Sequence, residues 1–359
     1  MKSDQVRAAQ VVLPVAELGA TLEFFTGRLG FRVDAIYPAD DPSVAVISGH
    51  GLRVQLQRGA PGGPGILRLL VSEPDTRELT APNGTRIEFV DADPPIVVPP
   101  VRPSLVVSEN GGEAAWGTGR AGMRYRDLVP DRQGGSFIAS HIQIPEGGPV
   151  PDYVHFHKVR FQMIYCYKGW VRVVYEDQGP PFVMQAGDSV LQPPRIRHRV
   201  LESSPGLEVI EIGCPANHET FADHDLALPT GRVRPERDFS GQRFVRHVAA
   251  ETAWRPFRIA GFEYRDTGIA AATDGLAGVR VARASRTPAS EPSRHEADFL
   301  FTFVVEGALT LHCEGHDERR LSAGSAFVLP AGMLFSFADC SPELSILEVS
   351  LPAAFETSR

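Results

Sequence analysis

Apolar and polar residues alternate with a period of two along most of this chain. Between residues 137 and 213 the segments FIASHIQI, RFQMIYCY, WVRVVY, FVMQ, DSVLQ and LEVIEIG are short and rich in β-branched or aromatic residues. A second series, VRVARA, FLFTFVV, LTLHCE, AFVLP and LSILEVS, follows between 279 and 350. Helical periodicity is absent over both stretches. Many short strands with no helices to cover them predict a sandwich or a jelly-roll barrel. The first ninety residues read differently. VVLPVAEL is a strand, and GATLEFFTGRLG is an amphipathic helix with Leu22, Phe25 and Leu29 on one face. FRVDAIYP, SVAVISG and LRVQLQ complete a βαβββ unit, and ILRLLV and TRIEFV, with a turn at Asn83-Gly84, add a shortened strand pair.

The chain also repeats itself. GMRYRDL around Tyr125 returns as GFEYRDT around Tyr264, and His157, Gly169, Gly187 and Pro193 return as His295, Gly307, Gly324 and Pro330. All five landmarks are separated by 137–139 residues, so the segment from about 101 to 359 is a duplicated domain. The expected fold class is mainly β: two tandem barrels preceded by a small α+β domain. The boundaries read as 1–93 for the N-terminal domain and 94–102 for a proline-rich linker. Barrel one takes 103–220, a connection 221–250, and barrel two 251–359.

Composition narrows the function. Hydrophobic content of 43% and charged content of 22% are those of a globular protein. The formal charge of −8 argues against nucleic acid or an anionic membrane as a partner. MKSDQVRAAQ lacks the apolar core of a signal peptide and no run is long enough to span a bilayer, so a cytoplasmic location is expected. Cys166, Cys214, Cys313 and Cys340 lie far apart, form no CxxC pair and read as buried free thiols. The expected partners are a small-molecule substrate and a second copy of the chain in a homodimer.

The candidate chemistry lies in the first barrel. PDYVHFHKVRFQMIYCYKGW places His155 and His157 two apart, which on a strand turns both imidazoles to one face. Gln162 follows after four residues and Gly169 after six more. GDSVLQPPRIRH then places His198 behind Gly187 and Pro193. These segments resemble the two motifs of the cupin superfamily: His-x-His, a glutamate and a glycine, then a glycine, a proline and a third histidine. The resemblance implies cupin jelly-roll barrels, with His155, His157 and His198 as metal ligands. It makes Gln162, which stands where the family usually has glutamate, the candidate fourth. In the second copy Ser293, Leu300 and Phe335 occupy three of the four ligand positions and only His295 is retained, so that barrel is expected to be metal-free. Neutral imidazoles suit Fe(II) first, and Ni, Mn, Zn or Cu as well. An amide at 162 leaves the ion's full charge in place and favours an anionic substrate, with the base coming from elsewhere.

Three further residues are candidates around this site. His141 could point into the cavity as a catalytic group. Odd-even counting along RFQMIYCY puts Arg160 and Cys166 on the face of Gln162, as candidate substrate-binding groups. The acid- and histidine-rich NHETFADHD reads as a solvated loop.

The N-terminal unit resembles the opening module and closing hairpin of the vicinal oxygen chelate superfamily, in a truncated form. Gln10 stands at the usual first-ligand position and Glu88 matches the last, which favours a structural or dimerising role over a metal site. The leading functional reading is a cupin-type metal-dependent dioxygenase acting on a small anionic, enolisable or aromatic substrate. The alternatives are a non-oxidative isomerase, lyase or hydrolase on the same metal, and a small-molecule binding protein without turnover.

Overall fold

The structure is a computed structural model that describes residues 5–73, 78–112, 115–285 and 290–359. The first four residues of MKSDQVRAAQ lie outside these. The chain divides into two compact units, Met1–Pro95 and Ile96–Arg359, with the break inside the proline-rich stretch.

In the first unit the helix Leu18–Gly27 lies between the strands Val11–Val15 and Arg32–Tyr37. Its buried face, Leu18, Thr21 and Phe25, packs on Ala45, Ile47, Val54 and Leu56 of the sheet. Val11–Val15 runs parallel to Leu52–Arg58 at one side of this four-stranded sheet, giving the βαβββ order. Ile66–Val71, Leu79–Thr80 and Arg86–Asp91 form a separate small sheet.

The second unit holds two jelly-roll barrels, each built mainly from one long and one shorter sheet. Among the described residues the long sheet of each barrel has seven strands. In the first barrel its centre is Phe161–Lys168, Leu207–Cys214 and Ile138–Ile144; in the second it is Phe299–Glu306, Ser345–Leu351 and Gly278–Ala284. These long sheets pack on each other. Phe161, Met163, Tyr165 and Tyr167 face Phe299, Phe301 and Phe303 in one continuous core, with Phe137 and Phe299 stacked at 4.1 Å. The intervening residues Ile164 and Cys166 turn into the first barrel, and Leu300 and Val304 into the second.

Two short strands cross the expected boundaries. Val106–Ser108 pairs with Ala326–Leu329 at the edge of the second barrel's sheet, although it lies at the start of the first barrel in sequence. Val245–His247, in the connection, pairs with Ser189–Leu191 of the first barrel. Each barrel is thus edged by a strand from outside its own segment, which ties the pair together. The repeat also appears as a shared turn device. Gly169 and Gly307 both have φ near 73°, and an added Cβ would run into Ser204 Oγ and Ser341 Oγ respectively. Those hydroxyls accept from Trp170 N and Ala308 N, so the motif glycine is required by backbone twist and by lack of room together. Among the described residues no helix is long and apolar enough to cross a membrane.

Candidate metal centre

The strand His155–His157 turns both imidazoles inward, and its pairing places His155 directly opposite His198. One ring nitrogen from each of the three histidines lies within 4.8 Å of the others, and all three residues are buried. Their tautomers are set from behind. His155 Nδ1 is 2.8 Å from Tyr153 O, His157 Nδ1 is 3.3 Å from Glu219 O, and His198 Nδ1 is 3.0 Å from Ile196 O. A carbonyl oxygen only accepts, so each Nδ1 carries the proton and each Nε2 presents a lone pair. Burial, before all else, disfavours the imidazolium forms. His157 is pushed down to about 3, with His155 and His218 adding repulsion. His198 lies well below the ordinary histidine range and His155 is lowered as well. Three neutral nitrogen donors this close, each oriented by a carbonyl, fit one divalent metal ion.

These histidines line a cavity of about 100 Å³ inside the first barrel. Ile142, Ile144, Ile164, Val171, Val173 and Val209 supply apolar walls. Gln162 lines it too, as alternation requires, and its Nε2 donates to Glu211 Oε1 at 2.5 Å. Glu211, from the neighbouring strand Leu207–Cys214, lines the same cavity, so a carboxylate stands beside the amide that replaces the family's glutamate. Arg120 reaches in from a short helical turn. Its Nη1 donates to Asp152 Oδ1 at 2.5 Å and its Nη2 lies 3.2 Å from His155 Nε2. Asp152 is fully buried and also accepts from Val200 N. The Tyr175 hydroxyl accepts from Gln192 Nε2 at 2.8 Å, and its ring stacks on His198. Burial raises the Tyr175 phenol, so it stays protonated with its O–H free to donate.

Three candidates fall elsewhere. His141 does not line the cavity: Ile142 and Ile144 take the inward positions of that strand, and His141 turns toward the other barrel. There it contacts Glu208 Oε2 at 2.7 Å and Arg126 Nη2 at 3.1 Å, and Arg126 also donates to Gly324 O of the second barrel. Arg160 is exposed and precedes the strand Phe161–Lys168, outside the cavity. Cys166 faces the barrel interior but lies packed among Val171, Val173 and Met184, away from the cavity surface; burial pushes its thiol up to about 12. From the loop NHETFADHD, His218 comes within 5.4 Å of the His157 ring, centroid to centroid, with its Nδ1 on Pro215 O.

The second barrel has the same frame and different contents. Ser293 is bridged to Phe335 just as His155 is paired with His198. Leu300, Phe327, Phe335 and Phe337 fill the interior. Both nitrogens of His295 are used, one against Leu329 O and one accepting from Ala297 N. In the N-terminal unit Glu88 is held by Arg68 and Arg86, and Gln10 donates to Gln55.

Sequence reasoning missed Arg120, Asp152, Tyr175, Gln192 and Glu211. One signal was available. In LEVIEIG, Leu207, Val209 and Glu211 share a face, so an acid among inward apolar positions marks the cavity.

Residues 140–212 match a protein family described as a cupin domain. A search of curated proteins finds no match. Among solved structures, a salicylate 1,2-dioxygenase from Pseudaminobacter salicylatoxidans superposes with a TM-score of 0.54 at 15% identity, over 73% of this chain and 90% of that one. A variant of Bacillus subtilis oxalate decarboxylase gives 0.52 at 13%, over 74% and 80%. A formate complex of Lactobacillus farciminis oxalate decarboxylase gives 0.52 at 13%, over 70% and 87%. The family match over residues 140–212 shows a cupin domain within the first barrel, the solved structures share the fold, and the three-histidine cluster supports a divalent metal.

Proposed function

We propose that the first barrel is an oxygenase site, in which His155, His157 and His198 hold Fe(II) and a small anionic substrate, enolisable or aromatic, is oxidised. The observation that carries this is the convergence of three Nε2 lone pairs on one apolar-walled cavity. When bound, the metal supplies Lewis acidity and a route for electrons between substrate and O₂. The chain's own groups do the rest. Isoleucine and valine walls hold an apolar body and exclude water, and Arg120 offers a guanidinium to an anion beside His155. The Tyr175 hydroxyl accepts from Gln192 and keeps its own O–H for a substrate oxygen. Asp152 holds Arg120 in place.

Glu211 favours a second reading, non-oxidative lyase or isomerase chemistry, because a carboxylate in the cavity can take a proton from substrate. It fits the structural likeness to oxalate decarboxylases, one of which is described with Mn(II) centres. Oxygen uptake by the Fe(II)-loaded protein with 2-hydroxybenzoates and β-dicarbonyl acids separates the two. Substrate-dependent uptake supports the oxygenase. Product formation under argon supports the alternative, and binding without product leaves a binding protein. The N-terminal unit enters this proposal as a structural module of vicinal-oxygen-chelate type, without a metal of its own.

A further inference from the structure

Gln162 and Glu211 lie on adjacent antiparallel strands. The residue directly opposite Gln162 is Gly213, and Glu211 faces Ile164. With no side chain across from it, Gln162 leans along the strand to reach the carboxylate. An amide has two unlike ends and a carboxylate only accepts, so the 2.5 Å contact fixes which end points where: Nε2 to Glu211 and Oε1 away from it. The remaining side of Gln162 is the cavity it shares with the three histidines.

We propose that Glu211 is a positioning residue that makes Gln162 an oxygen donor toward the metal; this rests on the metal-site reading above. Left to itself, an amide beside three neutral imidazoles could present N–H₂ as readily as C=O, and an N–H end repels a cation. Glu211 removes that freedom. It also places its negative charge beyond the amide, so the ion keeps neutral ligands and undiminished Lewis acidity while the cavity as a whole carries a counter-charge. Burial together with Glu211 raises the phenols of Tyr125 and Tyr175, consistent with a carboxylate that faces the same interior. Arg120 takes no part in this pair, because Asp152 holds it.

The test uses full-length protein and Co(II) as probe, with affinity read by chelator competition and coordination read from the visible spectrum. Glu211→Leu should weaken Co(II) by roughly 10–100-fold, the usual effect of losing a partner that orients a ligand. Gln162→Leu should weaken it similarly and change the spectrum in the same way. The double variant should bind no more weakly than Gln162→Leu alone, because Glu211 acts through Gln162. Additive losses would mean that Glu211 acts by charge through space, and an unchanged Gln162→Leu would mean that the amide does not face the ion; either overturns the proposal. Should Glu211→Leu not fold, the isosteric Glu211→Gln keeps the packing and frees the amide to turn, with an expected loss of several-fold; wild-type affinity and spectrum in that variant refute it. Absence of Co(II) uptake by the unaltered protein would instead overturn the metal reading beneath it.

Discussion

Lowering the pH should leave metal affinity little changed down to pH 5.5, because burial keeps the ligand imidazoles from taking up protons. A solvated site of three histidines near the ordinary value of 6.5 is deprotonated at pH 7.5 and mostly protonated at 5.5. Each ligand would then cost about tenfold in affinity over that range, and three would cost about a thousandfold. Here His157 is pushed down to about 3, His198 lies well below its ordinary value and His155 is lowered, in each case chiefly by burial. His157 therefore stays neutral throughout the window, with His198 and His155 shifted the same way, so metal binding displaces fewer protons than at a solvated site. Chelator competition with Co(II) between pH 7.5 and 5.5, corrected for the chelator's own protonation, should show less than about a tenfold change. Tryptophan fluorescence in the same samples checks that the fold persists. Stability, unlike affinity, does change with pH here. These histidines have depressed folded values, so the unfolded chain takes up protons first, and stability falls as the pH drops from about 6.5 toward 3. A thousandfold loss of affinity in protein that remains folded would refute the argument from burial.

Three other outcomes follow from the packing. Gly169→Ala, at a positive φ with Ser204 in the way, should lower stability by about 2 kcal/mol or more in urea unfolding, and Gly307→Ala should do the same in the second barrel. Phe301→Ala, fully buried where the long sheets meet, should cost about 3–5 kcal/mol by chemical denaturation and leave metal stoichiometry unchanged. All four cysteines are buried, and burial raises the thiols of Cys166, Cys214, Cys313 and Cys340, so a disulfide reagent at pH 8 should label none of them until the protein unfolds. Rapid labelling of one thiol would contradict the burial of the barrel cores.

Much of the fold and the metal cluster was legible in the residues. The repeat aligned Ser293 and Phe335 with His155 and His198, and the structure pairs both sets alike. Alternation sorted Phe161–Lys168 correctly, because Gln162 marks its inward face. It could not sort Ile138–Ile144. That strand is buried on both faces, one by the cavity and one by the neighbouring barrel, so hydrophobicity carries no inside or outside and His141 was turned the wrong way. Arg160 failed for a local reason: the strand begins one residue later, and the alternation did not extend to it. The exchanged edge strands Val106–Ser108 and Val245–His247 are three residues long and pair across large separations, which no local pattern encodes.

The central claim is that one metal binds per chain, on the three histidines of the first barrel. Elemental analysis of protein purified without added metal, compared with a His155→Ala/His157→Ala variant and with His295→Ala, tests it most directly. The account predicts about one divalent ion per chain in the unaltered protein and none in the double variant. His295→Ala should keep the full complement, since both its ring nitrogens are engaged by the backbone, at Leu329 O and Ala297 N. Metal retained by the double variant, or lost with His295, would contradict it.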